Sequence, residues 1–122
     1  NMACVREDQS WTLRSGKQIC AQVWSAKNTE ADTVPWVALH GWLDNSASFD
    51  ELVPRLIENG VTKVVCCDLA GHGRSDHRLS YTVLDYVSDT IEVVDALGFH
   101  NFVLCGHSLG AGVCSLIAGT LP

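Results

Sequence analysis

The sequence predicts a three-layer α/β/α sandwich built on a mostly parallel sheet, and three observations point there. Short apolar runs at 35–40, 64–67 (the core of a strand over 61–67) and 102–105 have the length and composition of buried strands. Between them lie segments whose apolar residues recur at helical spacing. Each run also leads into a loop bearing glycine and histidine, on the sheet edge where sites form in such folds. Loops 40–45, 68–76 and 106–110 therefore converge on one rim.

Taken in order, residues 10–24 read as a hairpin. Ser15-Gly16-Lys17 makes the turn, and Gln18 to Trp24 alternates as a half-buried strand does. Trp11 and Trp24 read as sheet-packing aromatics, and 25–33 as a polar loop. Pro35 opens the next strand, where a missing N–H is tolerated. Phe49, Leu52, Val53, Leu56 and Ile57 then mark one helical stripe. Pro54 inside it would cost about 3 kcal/mol in a helix interior. A loose turn over 46–52 is therefore expected, then regular helix over 53–59, stopped by Gly60. After strand 61–67, Thr82 and Asp85 form a capping-box pattern with aspartate in place of glutamate. Leu84, Val87, Ile91, Val94 and Leu97 continue it as a helix that Gly98 ends. Strand 102–105 follows, and a last helix starts at Leu109 and runs to about Gly119.

A length of 122 residues bounds the chain to one domain at most, and 47% hydrophobic with 18% charged residues describes a globular protein. The net charge of −6, with lysine and arginine scattered, argues against nucleic acid or an anionic membrane as partner. No run approaches the ~20 apolar residues needed to span a bilayer. The six cysteines include no C-x-x-C pair, so neither a zinc site nor a redox pair is indicated, and no cofactor is expected. Cys20, Cys66, Cys67 and Cys105 lie inside apolar runs, where a free thiol acts as a small hydrophobe. Arg6, Glu7 and Asp8 occupy the place where a signal peptide carries its apolar run, so a cytoplasmic, reducing compartment is expected.

The chemistry concentrates at Gly106-His107-Ser108-Leu109-Gly110. Composition alone yields a Gly-x-Ser-x-Gly pattern in roughly 4% of chains this long, so the flanks decide. Here an apolar strand leads in and a small-residue helix leads out, which is the form of a nucleophile elbow. A serine on so sharp a turn sits in strained backbone, and side chains two residues either side would collide as strand and helix close. The helix N-terminus beside it favours a developing anion. Among the remaining polar residues, Asp68 is expected to tie down loop 70–76 through backbone N–H groups. Arg74 is expected to make a structural ion pair, and His100 to lie at the surface.

The three rim loops together resemble the α/β-hydrolase fold family. His40-Gly41-Trp42 resembles its oxyanion loop, Asp68-x-x-Gly71-x-Gly73-x-Ser75 its loop after the fourth strand, and the elbow matches. The run from His40 to Asp50 is most similar to serine hydrolase-like proteins within the family. The resemblance implies that residues 1–122 form the N-terminal part of a single hydrolase domain, ending after the elbow helix. It implies Ser108 as the nucleophile forming an acyl-enzyme with a small-molecule ester, thioester or amide. The backbone N–H groups of Trp42 and Leu109 would make the oxyanion hole, worth ~3 kcal/mol each. His40, Gly41, Gly106, His107 and Gly110 would support the turns, with His40 bracing its own loop and His107 projecting away from the serine. His72 and His77 share the rim, but the resemblance gives them no base role. Asp44, just past the oxyanion loop, is a candidate substrate contact. The family's triad acid and histidine follow its serine, whereas no acid or histidine follows Ser108 in this sequence, so both are expected beyond residue 122. Two alternatives stand beside this reading: a carbon–carbon bond hydrolase on the same fold, and a non-catalytic fragment or binding module lacking the acid and base. Strand 102–105 is also expected to leave an unpaired edge, which invites aggregation of the fragment alone.

Overall fold

A computed structural model describes residues 4–27 and 33–121. In chain order these form β1 (Cys4–Thr12), β2 (Gln18–Ala26), β3 (Trp36–Leu39), a 3₁₀ turn (Ser46–Phe49), α1 (Leu52–Glu58) and β4 (Lys63–Cys67). They continue with α2 (Val83–Leu97), β5 (Val103–Gly106) and α3 (Leu109–Thr120). The strands make one sheet in the order β1-β2-β4-β3-β5. β3 pairs in parallel with β4 and β5, aligning Leu39 with Cys67 on one side and Gly106 on the other. That register brings the three rim loops out at one height. The β1–β2 hairpin joins β4 antiparallel and extends the sheet at the far edge.

Period-2 alternation sorts the central strands between two cores. Val65 and Cys67 of β4, with Val37 and Leu39 of β3, face α2 and α3, where Val93, Val113 and Ile117 meet them. Val64, Cys66 and Ala38 face the other way, onto Phe49 and Val53. The sheet is thus covered on both faces. All six cysteines are free. Burial pushes the Cys67 thiol up to about 12 and Cys114 up to about 11, so both stay protonated packing groups.

The helix boundaries follow local chemistry. Pro54 sits in the first turn of α1, where its missing N–H costs little. Thr82 and Asp85 complete a reciprocal capping box, and Gly98 ends α2 in the left-handed conformation. Arg78 anchors the approach to α2 through Asp89 (2.7 Å) and Asp85 (3.2 Å).

Several boundaries differ from those read in the sequence. The first strand begins at Cys4, six residues before the expected hairpin, because it is held by backbone pairing to β2 and not by burial: Val5 to Ser10 are exposed. Strand β4 starts at Lys63, and β5 is displaced by one residue to 103–106. Of the polar loop expected at 25–33, Ser25 and Ala26 extend β2, and 28–32 lie outside the described residues. β5 forms the sheet edge beside β3, so its outer side has no strand partner among the described residues. No helix among the described residues is long and apolar enough to cross a membrane.

Candidate active site

Ser108 stands where β5 ends and α3 begins, exposed, with φ 56° and ψ −115°. Left-handed backbone is costly for a residue with a Cβ, so the surrounding turn must impose it. It does so by close packing. A Cβ on Gly106 would lie 2.5 Å from the Gly110 carbonyl carbon, and one on Gly110 would lie 2.5 Å from the Leu39 carbonyl carbon. Gly110 is therefore demanded by the neighbouring strand β3 as much as by the elbow itself. The His107 N–H donates to the Leu39 carbonyl at 3.1 Å, fastening the turn to the same strand end. The His107 ring is exposed and stands beside Gly41; no histidine nitrogen is hydrogen bonded to the Ser108 hydroxyl among the described residues.

The loop after β3 meets the elbow directly. The point where a Gly41 Cβ would sit is 3.3 Å from the Ser108 Cβ. Just beyond, the peptide joining Gly41 to Trp42 is fixed in direction. Its carbonyl accepts from His40 Nδ1 (2.7 Å) and from the Asp44 N–H (3.2 Å). In a trans peptide the N–H points opposite to the carbonyl, so pinning the Gly41 oxygen aims the Trp42 N–H. Among the described residues neither the Trp42 N–H nor the Leu109 N–H has a protein acceptor. Two donors thus remain free on the loops that flank Ser108.

His40 is fully buried, and its tautomer follows from its partners. Nε2 accepts from the Leu69 N–H at 2.9 Å, so the ring proton sits on Nδ1 and is given to Gly41. Burial holds its pKa below the ordinary 6.5, against the opposing pull of the Gly41 carbonyl. The sign follows. Below pH 6.5 the unfolded chain takes up a proton that folded His40 resists, so stability is full above that pH and falls as the pH drops. Denaturant titrations from pH 8 to 5.5 should show a loss of up to about 1.4 kcal/mol per pH unit from this group. The His40→Gln variant should lose that part of the slope.

The loop after β4 locks the other side. Asp68, 4% exposed, accepts the Ser46 N–H (2.7 Å) and the Arg74 N–H (3.3 Å), tying the 3₁₀ turn to its own loop. Ser75 donates to the Asp68 carbonyl and accepts from Cys20, so the loop is fastened to β2 as well. Arg74 pairs with Asp8 at 2.7 Å on the exposed surface, and His100 is exposed. His77 Nδ1 lies 2.9 Å from the Tyr81 hydroxyl. Asp44 is exposed at the end of the 41–44 turn; the Ser48 hydroxyl and then the Asn45 N–H hold its carboxyl below the usual carboxylate range.

Ser108, Leu109, Gly106, Gly110, His107, His40, Gly41 and Trp42 thus gather at one rim. Sequence reasoning did not find the contribution of His72, whose Nε2 accepts the Leu43 N–H at 3.1 Å. Its only local signal was the Gly71-His72-Gly73 run. No group of three or more histidine, cysteine, aspartate or glutamate side chains among the described residues is arranged to hold a metal ion.

A strained serine between a strand and a helix, on a sheet covered on both faces, defines the class, and comparison agrees. The profile of the α/β-hydrolase fold family matches residues 35–122, and the chain belongs to that family. Within it, the chain is similar to a serine hydrolase-like protein of Dictyostelium discoideum, 37% identical over 119 residues, covering 95% of this chain and 32% of that one. It is likewise similar to the crystal structure of a hypothetical protein from Pseudomonas aeruginosa PAO1, 40% identical with a TM-score of 0.83, covering 95% of this chain and 39% of the other. A thioesterase domain from the curacin biosynthetic pathway is 30% identical with a TM-score of 0.83, covering 97% and 41%. The chain spans about a third of the length of the Dictyostelium relative.

Proposed function

We propose that this chain carries the nucleophile and oxyanion hole of a serine hydrolase acting on an ester, thioester or amide of a small molecule. The observation that supports it most is Ser108 at φ 56°, exposed at the start of α3, with the N–H groups of Trp42 and Leu109 lacking a protein acceptor among the described residues. A histidine and an acid from the segment after residue 122 complete the triad.

In this mechanism Ser108 Oγ adds to the substrate carbonyl carbon while the histidine takes its proton. The carbonyl oxygen becomes an oxyanion and accepts from the Trp42 and Leu109 N–H groups. The histidine then gives the proton to the departing alcohol, thiol or amine, leaving acyl-Ser108. Water, deprotonated by the same histidine, adds to the acyl carbon; the acyl–Oγ bond then breaks, the histidine returns the proton to Ser108 Oγ, and the acid leaves. Asp44, exposed at the end of the 41–44 turn, would meet a polar part of the substrate. The chemistry needs no cofactor. The test is covalent trapping: an alkyl fluorophosphonate should modify the full-length protein at Ser108.

A further inference from the structure

We propose that His72 is a positioning residue for the oxyanion turn, acting through the Leu43 N–H. Leu43 is the one non-glycine residue besides Ser108 with positive φ among the described residues, at 62°. A leucine held in left-handed backbone is strained, so the turn relaxes unless something retains it. His72 Nε2 retains it, accepting the Leu43 N–H at 3.1 Å. The Trp42 residue is thereby clamped on both sides. Its N-terminal peptide is held by His40 and the Asp44 N–H, and its C-terminal peptide by His72.

The histidine is itself immobilised. It is 8% exposed, and its Nδ1 is 3.0 Å from the Ala70 carbonyl, so that nitrogen carries the proton and Nε2 is the acceptor. Its ring lies 5.0 Å from that of His40 and edge-on to Trp42 at 5.2 Å, centroid to centroid. Tyr86 closes the far side at 6.4 Å. Both ring nitrogens are engaged, which leaves none to serve as a base. The residue contributes by geometry: it keeps the Trp42 donor aimed at the place where charge develops. This role rests on the assignment of Ser108 and Trp42 above.

The test uses the full-length protein with His72→Phe, which keeps a ring and removes the acceptor, and His72→Gln, whose amide oxygen can take the place of Nε2. The Phe variant should lose about 10- to 100-fold in kcat/KM on an activated ester with little change in KM, less than deletion of an oxyanion donor outright. Affinity for a trifluoromethyl ketone, which binds as the oxyanion adduct, should fall by the same factor. The Gln variant should recover most of both. A folded Phe variant with kcat/KM and ketone affinity within twofold of the parent overturns the proposal, as does a Gln variant no better than Phe. Should Phe fail to fold, nitrogen NMR of the unaltered protein decides: a coupling between His72 Nε2 and the Leu43 N–H supports the role, and a protonated Nε2 overturns it. An unaltered protein that neither turns over the ester nor takes a phosphonate removes the hydrolase assignment too; one that does both, with an indifferent Phe variant, removes only the role of His72.

Discussion

Replacing Ser108 with glycine is expected to raise stability while abolishing turnover. The strain at φ 56°, ψ −115° costs on the order of 1–3 kcal/mol in a residue with a Cβ, and glycine relieves it. Against that stands the extra chain entropy of glycine in the unfolded state, about 0.5–1 kcal/mol. The balance favours the variant by roughly 1 kcal/mol. No folded-state contact offsets this, because the Ser108 side chain is exposed and caps nothing on α3. Under the proposed function the same change removes the nucleophile, and activated-ester turnover should fall by about 10⁴-fold or more. Denaturant melts and ester kinetics on one preparation would show the opposite signs. A loss of stability would mean that Ser108 packs into its surroundings, contrary to the account.

The second large effect is structural. Gly110→Ala should destabilise the domain by about 3 kcal/mol or more, at the upper end of what overpacking costs. The added methyl would meet the Leu39 carbonyl group at sub-contact distance, and both partners are backbone, so no side-chain rotation relieves it. Strand β3 and helix α3 must separate, and the elbow and the Gly41–Trp42 turn separate with them. Gly112, two residues on, is the control. A Cβ there meets nothing within 4 Å, so Gly112→Ala in the same helix should stabilise by about 0.5–1 kcal/mol. Equal effects at the two positions would show that helix propensity, and not the strand approach, sets the response.

The contrast between these glycines bears on what a sequence discloses. The elbow was legible because its constraint is local: strand, apex and helix are consecutive, and the spacing of Gly106, Ser108 and Gly110 carries the geometry. The caps of α2 were legible for the same reason, since Thr82, Asp85 and Gly98 act within a turn of their own helix end. Strand β1 was not, because its residues bury little and are ordered by pairing with β2, which leaves no alternation from Val5 to Ser10 to read. The bracing of the 41–44 turn was half legible. His40 adjoins the Gly41 carbonyl that it holds, whereas His72 reaches Leu43 across 29 positions, and nothing in Leu43 announces a left-handed backbone. That Gly110 answers to the Leu39 carbonyl is likewise a fact of tertiary packing.

The central claim is that Ser108 is an activated nucleophile facing two waiting amide donors. Peptide mapping by mass spectrometry after brief exposure of the full-length protein to an alkyl fluorophosphonate tests it most directly. A single phosphonate adduct on the peptide containing Ser108, absent from Ser108→Ala, is the predicted result. Adducts unchanged in that variant, or none in a folded protein, would contradict the account.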